Sequence, residues 1–220
     1  MNILQDRIIG IQDWAVYFFI LAFLFLVLSK VYFPVKFYNY IRLIYTDKFL
    51  RIYYKDSPRS QSGFYLLLFI TKTISFSFLI QLFFAAVGWG NLYDFNLFVQ
   101  ILVLFVFVVL SKYFLENIIA VTFHLEDFTE QFHFYKHSYR SYLGVILLPI
   151  VAIFYFNGMI VTPVLYLFIG LIFSINIALY INSVWIFRTL IFPKFYYFIL
   201  YLCALEMAPF YLAYRFLIKN

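Results

Sequence analysis

Long apolar runs, broken by short polar stretches, dominate the chain. Within them apolar residues are continuous and do not alternate with polar ones, which is not the pattern of transmembrane barrel strands. A helix rises about 1.5 Å per residue, so roughly 20 apolar residues cross a bilayer core. Six segments fit, over 14–33, 64–87, 95–118, 143–158, 162–186 and 195–217, the fourth being the shortest. They predict an all-α integral membrane protein: six transmembrane helices in a single domain over 1–220. Arg7 followed by the run Trp14 to Leu28 has the outline of a secretory leader. No small-x-small cleavage site follows, so the run reads as an uncleaved first span.

The polar connections differ in charge. The first holds Lys36, Arg42, Lys48, Arg51, Lys55 and Arg59; the third holds Lys136 and Arg140; the fifth holds Arg188 and Lys194. The connections at 88–94 and 159–161 contain no Lys or Arg. Basic residues mark the cytoplasmic side, so six spans place both termini in the periplasm. Within the first connection, Lys48, Arg51 and Lys55 are spaced as one stripe of a helix over 45–55, with Tyr45, Phe49, Ile52 and Tyr53 on the other side. Such an amphipathic helix lies in the interface with its basic stripe on anionic lipid headgroups. A topogenic charge cluster gives the same pattern. The runs Phe33-Pro34-Val35-Lys36-Phe37-Tyr38 and Phe192-Pro193-Lys194-Phe195-Tyr196 read as aromatic–proline elbows at the interface. Their positions do not fit an internal duplication.

Composition agrees with this picture. Apolar residues make up 66%, aromatics 25% and charged residues 12%, against about 25% charged in soluble domains. The net charge of +6 belongs to the cytoplasmic connections, and nucleic acid is not an expected partner. Cys203 is alone, so there is neither an intrachain disulfide nor a cysteine zinc site.

Two charges fall inside apolar runs: Lys72 in the second and Glu206 in the sixth. Intramembrane charges are functional candidates by default. At 1.5 Å per residue the two lie at similar depth, and their opposite signs favour a buried ion pair, with Asn176 at the same level. Pro209, three residues beyond Glu206, kinks that helix. Lys72, Asn176, Glu206 and Pro209 therefore form an intramembrane polar cluster, read either as a structural staple or as an ion or proton path. Glu126, Glu130, His133 and His137 share one face of a helix in the third connection. Glu130 and His133 are spaced as in di-iron carboxylate bundles, and Glu130, His133 and His137 are the candidate metal ligands. Those sites need further carboxylates and a second Glu-x-x-His pair, and a water-facing polar side explains the spacing without metal. Lys112 and Glu116 form an i, i+4 pair. No Gly-x-Ser-x-Gly, phosphate-binding glycine loop or His-Glu-x-x-His occurs. No catalytic residue and no cofactor is assigned.

The runs Leu143-Gly144-Val145-Ile146-Leu147-Leu148-Pro149 and Tyr201-Leu202-Cys203-Ala204-Leu205-Glu206-Met207-Ala208-Pro209 resemble a family of small inner-membrane proteins of Gram-negative bacteria, classed as a domain of unknown function. Cys203, Glu206 and Pro209 lie on its C-terminal pattern, and the resemblance extends over 110–220. Arg140 and Ser141 depart from the polar pair expected before the Gly-x-x-Leu-Leu-Pro run. The resemblance implies an inner-membrane location and no activity. The expected function is a non-catalytic membrane subunit or assembly factor of an envelope complex, with other membrane proteins and the lipid bilayer as partners. The alternatives are a small carrier or proton-coupled transporter using Lys72 and Glu206, and a membrane-bound metal or lipid-modifying enzyme.

Overall fold

The computed structural model describes residues 13–44, 58–122, 126–157 and 163–186. These fold into six α-helices: α1 (Asp13–Tyr32), α2 (Pro34–Ile41), α3 (Pro58–Val87), α4 (Phe95–Thr122), α5 (Glu126–Phe156) and α6 (Pro163–Ile186). A 3-10 turn, Arg42–Ile44, continues α2. Three helices open on proline, whose fixed φ suits a first turn and whose missing N–H costs nothing there. The elbow expected at Phe33-Pro34 is present: α1 stops, Phe33 adopts φ −131° and ψ 58°, and α2 sets off from Pro34.

Among the described residues, four stretches are long and apolar enough to cross a membrane: Trp14–Tyr32, Gly63–Val87, Phe95–Thr122 and Phe134–Phe156. The chain is thus an all-α protein compatible with multiple membrane passes. Pro163–Ala178 in α6 is a shorter apolar stretch, and the run expected over 195–217 lies outside the described residues, as does the basic helix expected over 45–55. The third connection differs from expectation. Its polar helix is not separate from the fourth span, because α5 runs unbroken from Glu126 to Phe156 and passes through Pro149. The aromatic rings of Phe134, Tyr135 and Tyr139 extend the apolar stretch toward the helix start. Two basic residues within it, Lys136 and Arg140, are therefore drawn into the bundle.

α3 is the axis of the fold. It packs on α5 most extensively, then on α1 and α4, while α6 rests on α5. Sixty-one per cent of the α3 span is buried, against 11% of the α4 span. One core, around Phe19, Phe78, Leu82, Phe98, Leu148 and Tyr155, joins α1, α3, α4 and α5. A second, around Tyr40, Leu43, Phe64 and Leu68, seats α2 against the start of α3 and the 134–145 stretch of α5.

The turn between α3 and α4 is set by local chemistry. Gly88, at φ +81°, takes the left-handed conformation that ends α3. Its N–H donates to Ala85 O and that of Trp89 to Phe84 O, the paired bonds of a Schellman cap. Asp94 then caps α4, its Oδ1 accepting from Asn96 N at 2.9 Å and Leu97 N at 3.4 Å.

Candidate functional site

The centre of α3 carries polar residues inward. Thr71, Thr73, Ser75 and Ser77 are all buried. Each hydroxyl donates to the carbonyl four residues back: Leu67 O, Phe69 O, Thr71 O and Thr73 O, at 2.8–3.1 Å. Hydroxyls satisfied within their own helix put small side chains at a helix interface without orphaning polar atoms. Thr71 Oγ1 also lies 3.5 Å from Ala22 O, a bond toward α1.

Lys72 sits in the middle of this stripe and is 5% exposed. Opposite it is Gly144 of α5. A Cβ built on Gly144 would lie 2.9 Å from Lys72 Cα, Cβ and Cγ alike. Only glycine allows the helices to approach that closely here. The Lys72 stem therefore lies against bare backbone, and its amine turns back along α3, with Nζ 4.9 Å from the centre of the Phe69 ring. A cation held over an aromatic face is attracted by the ring quadrupole.

His137, Arg140 and Ser141 precede Gly144 by seven, four and three residues, so they share its face of α5. The His137 ring stacks near-parallel to Phe69 at 6.4 Å and meets Tyr65 edge-on at 5.9 Å. Its Nδ1 is 3.5 Å from Ser141 Oγ. Arg140 is the charged neighbour whose field acts on Lys72. Among the described residues, neither Lys72 nor Arg140 has a hydrogen bond or an ion pair. Two like charges thus share the α3–α5 interface with no acid beside them in the described structure.

A buried ion pair lies nearby. Lys136 Nζ of α5 is 3.4 Å from Glu116 Oε1 of α4, the side chains being 8% and 4% exposed. Sequence spacing offers Glu116 a partner on its own helix, Lys112; the structure adds one from a neighbouring helix. Next to this region, the Tyr40 hydroxyl donates to Ser138 O at 3.2 Å. Burial, and then the neighbouring Tyr65 and Tyr142, push that phenol well above its ordinary range, so it serves as a permanent donor. The Tyr142 hydroxyl donates to Ile41 O, binding α5 to the end of α2.

The opposite end is closed by a different device. Tyr155 Oη donates to Leu92 O at 3.3 Å, Trp14 Nε1 to Tyr93 O at 3.3 Å and Gln81 Nε2 to Asp94 O at 3.0 Å. Three consecutive loop carbonyls are thus held by α5, α1 and α3. Around them Trp14 stacks on Phe78 at 6.0 Å, and Phe78 meets Phe98 at 4.4 Å and Tyr155 at 5.3 Å.

The structure treats the sequence candidates unevenly. Lys72 is buried as expected. Asn176 is not bonded to it: its Nδ2 donates to Ile172 O at 2.9 Å within α6. Glu206 and Pro209 lie outside the described residues, as do Lys48, Arg51 and Lys55 and the side chains of Glu130 and His133. His137 turns toward α3 rings and Ser141. Among the described residues, no three His, Cys, Asp or Glu side chains gather as metal ligands would. Sequence reasoning missed Arg140 as a neighbour of Lys72, the Glu116–Lys136 pair and the loop clamp. The available signal for the first was a glycine, Gly144, inside an apolar run and four residues beyond a basic side chain.

Comparison with curated proteins and with solved structures gives no match. A family profile does match, and it spans residues 15–217, nearly the whole chain, including the central helix with Lys72 and the facing helix with Arg140 and Gly144. The chain therefore belongs to the family described as a domain of unknown function, DUF4271.

Proposed function

We propose that the protein is a non-catalytic subunit or assembly factor of an envelope complex, held in the bacterial inner membrane by six spans with both termini in the periplasm. The observation that carries this reading is how the polar groups of the bundle are used. The hydroxyls of α3 bond their own helix, three helices hold the 92–94 carbonyls, and aromatic rings fill the space between. The clamp on 92–94 and the packed rings hold helices in register, which is what a scaffold needs. Glu206 of the sixth span completes the arrangement as the acid opposite Lys72, with Pro209 kinking the helix that presents it. The basic stripe of Lys48, Arg51 and Lys55 rests on anionic headgroups, and the partners are other membrane proteins of the same complex.

A second reading is favoured by one observation: Lys72 is buried beside Arg140, and no acid among the described residues is bonded to either. A carrier or proton-coupled transporter would keep such a charge ready for a moving partner, with Glu206 as the exchanging acid. The metal-enzyme reading retains Glu130, His133 and His137 as its ligands, and metal content of the purified protein tests it.

Glu206→Gln separates the first two readings. For a scaffold, the variant accumulates poorly and the particle released by gentle solubilisation shrinks or disappears. For a carrier, it accumulates normally and keeps its particle size, while uptake of the carried solute into vesicles is lost.

A further inference from the structure

We infer that Lys72 and Arg140 form an oxyanion site between α3 and α5, which takes a phosphate group. The inference starts from geometry. Gly144 brings the α5 backbone against the Lys72 stem, which directs the amine along α3 toward Phe69. Arg140 lies one turn before Gly144 on the same face of α5, which places it on the facing helix at the level the amine reaches. Phe69 is six residues into the Gly63–Val87 span and Arg140 six residues into the Phe134–Phe156 span. Both positions are about 9 Å from the basic end of the bundle. That is deeper than the headgroup layer but within reach of it for long side chains.

Charge then specifies the occupant. Two cations at one interface, one of them 95% buried, are held together only against a cost in repulsion and desolvation. A carboxylate such as Glu206 brings one charge and two acceptor oxygens. A phosphate brings one charge as a diester and up to two as the free ion, with more acceptor oxygens to reach both cations at once. It matches the fork of a guanidinium bidentately, and an ammonium binds it as a point charge. The His137 ring, stacked on the same Phe69, and the Ser141 hydroxyl line the approach along α5 and offer further hydrogen-bonding atoms. Two sources supply this chemistry: the phosphodiester of an anionic lipid drawn in from the adjacent leaflet, and a free phosphate ion. The site holds whether or not the protein works within a larger complex, so its failure would leave the scaffold reading intact.

The test uses the full chain in lipid nanodiscs, with thermal unfolding and native mass spectrometry as readouts. Discs of phosphatidylcholine alone are compared with discs containing phosphatidylglycerol, and the former are also titrated with inorganic phosphate. Retention of phosphatidylglycerol and a raised unfolding temperature assign the site to a lipid phosphodiester. Stabilisation by inorganic phosphate in phosphatidylcholine discs assigns it to the free anion. Lys72→Gln and Arg140→Gln should each weaken the response at least about tenfold. Lys72→Arg and Arg140→Lys should retain it, which keeps the test decisive where a neutral variant folds poorly. Replacing Lys48, Arg51 and Lys55 together with Gln should leave it unchanged. Three results would overturn the inference: no response to either anion, a response that survives both neutral variants, or a response that appears only in Glu206→Gln. The last would give the two cations to Glu206 alone.

Discussion

A methyl group at position 144 has nowhere to go. It would meet three atoms of Lys72 at 2.9 Å, two of them near the backbone and unable to swing aside. Gly144→Ala must separate α3 from α5 at their closest point, at a cost of about 1–3 kcal/mol. Gly170 of α6 provides the control, since an added Cβ there meets nothing within 4 Å. Gly170→Ala should be neutral or gain about 0.5–1 kcal/mol from helix propensity. Thermal unfolding of the two variants in one detergent decides the matter, and equal midpoints would show that the close approach at Gly144 carries no weight. At this scale the sequence was informative about type and silent about direction. Lys72 is recognisable as an intramembrane charge from its apolar flanks alone. That Arg140 lies near it depends on the rotation of α5 relative to α3, which hydropathy does not encode. Asn176 shows the converse. Depth along the membrane put it level with Lys72, but its amide is satisfied inside α6.

Between elements, the buried Glu116–Lys136 pair fastens α4 to α5. Removing one partner takes a charge-assisted bond from the other buried side chain, whereas removing both takes two charges out of the interface. Lys136→Met should therefore cost about 3 kcal/mol, and the double variant Glu116→Leu with Lys136→Met should recover most of it. Chemical unfolding of the two single variants and the double variant measures the coupling; additive losses would mean that the two side chains do not act on each other. The pair also explains why α5 was only half legible. Its apolar core, with Leu147, Leu148 and Pro149, marks a span. The stretch before it carries Lys136, His137 and Arg140, which by charge alone resembles a cytoplasmic connection. Aromatic neighbours and a carboxylate from α4 bring that stretch inside, and the carboxylate becomes visible only when the helices are packed.

For the whole molecule, the basic connections are expected on one side and the charge-poor turn at 88–94 on the other. In a Cys203→Ala background, a cysteine placed at Asn91 should react with a membrane-impermeant thiol reagent added to cells with opened outer membranes. One placed at Asp56 should react only after the inner membrane is breached. The reverse pattern would invert the orientation and place the basic end in the periplasm. The helical class and the first three spans follow from hydropathy, because lipid demands long runs of satisfied backbone. The choice of α3 as the axis does not. Its run is less apolar than those of α1 and α4, and its distinguishing mark is the string of small hydroxyl residues that lets other helices come near.

The clamp on the turn between α3 and α4 also imposes an order on biogenesis. Trp14 and Gln81 are made before the carbonyls they hold, but Tyr155 is made 63 residues after Leu92. The hairpin of α3 and α4 thus forms with its turn only partly fastened. The last tie forms when α5 is inserted and delivers the tyrosine to that end of the bundle. The same event brings Gly144 to Lys72 at the middle of α3. Placement of one helix thus completes both contacts, and a chain stopped before it would present Lys72 with no facing helix.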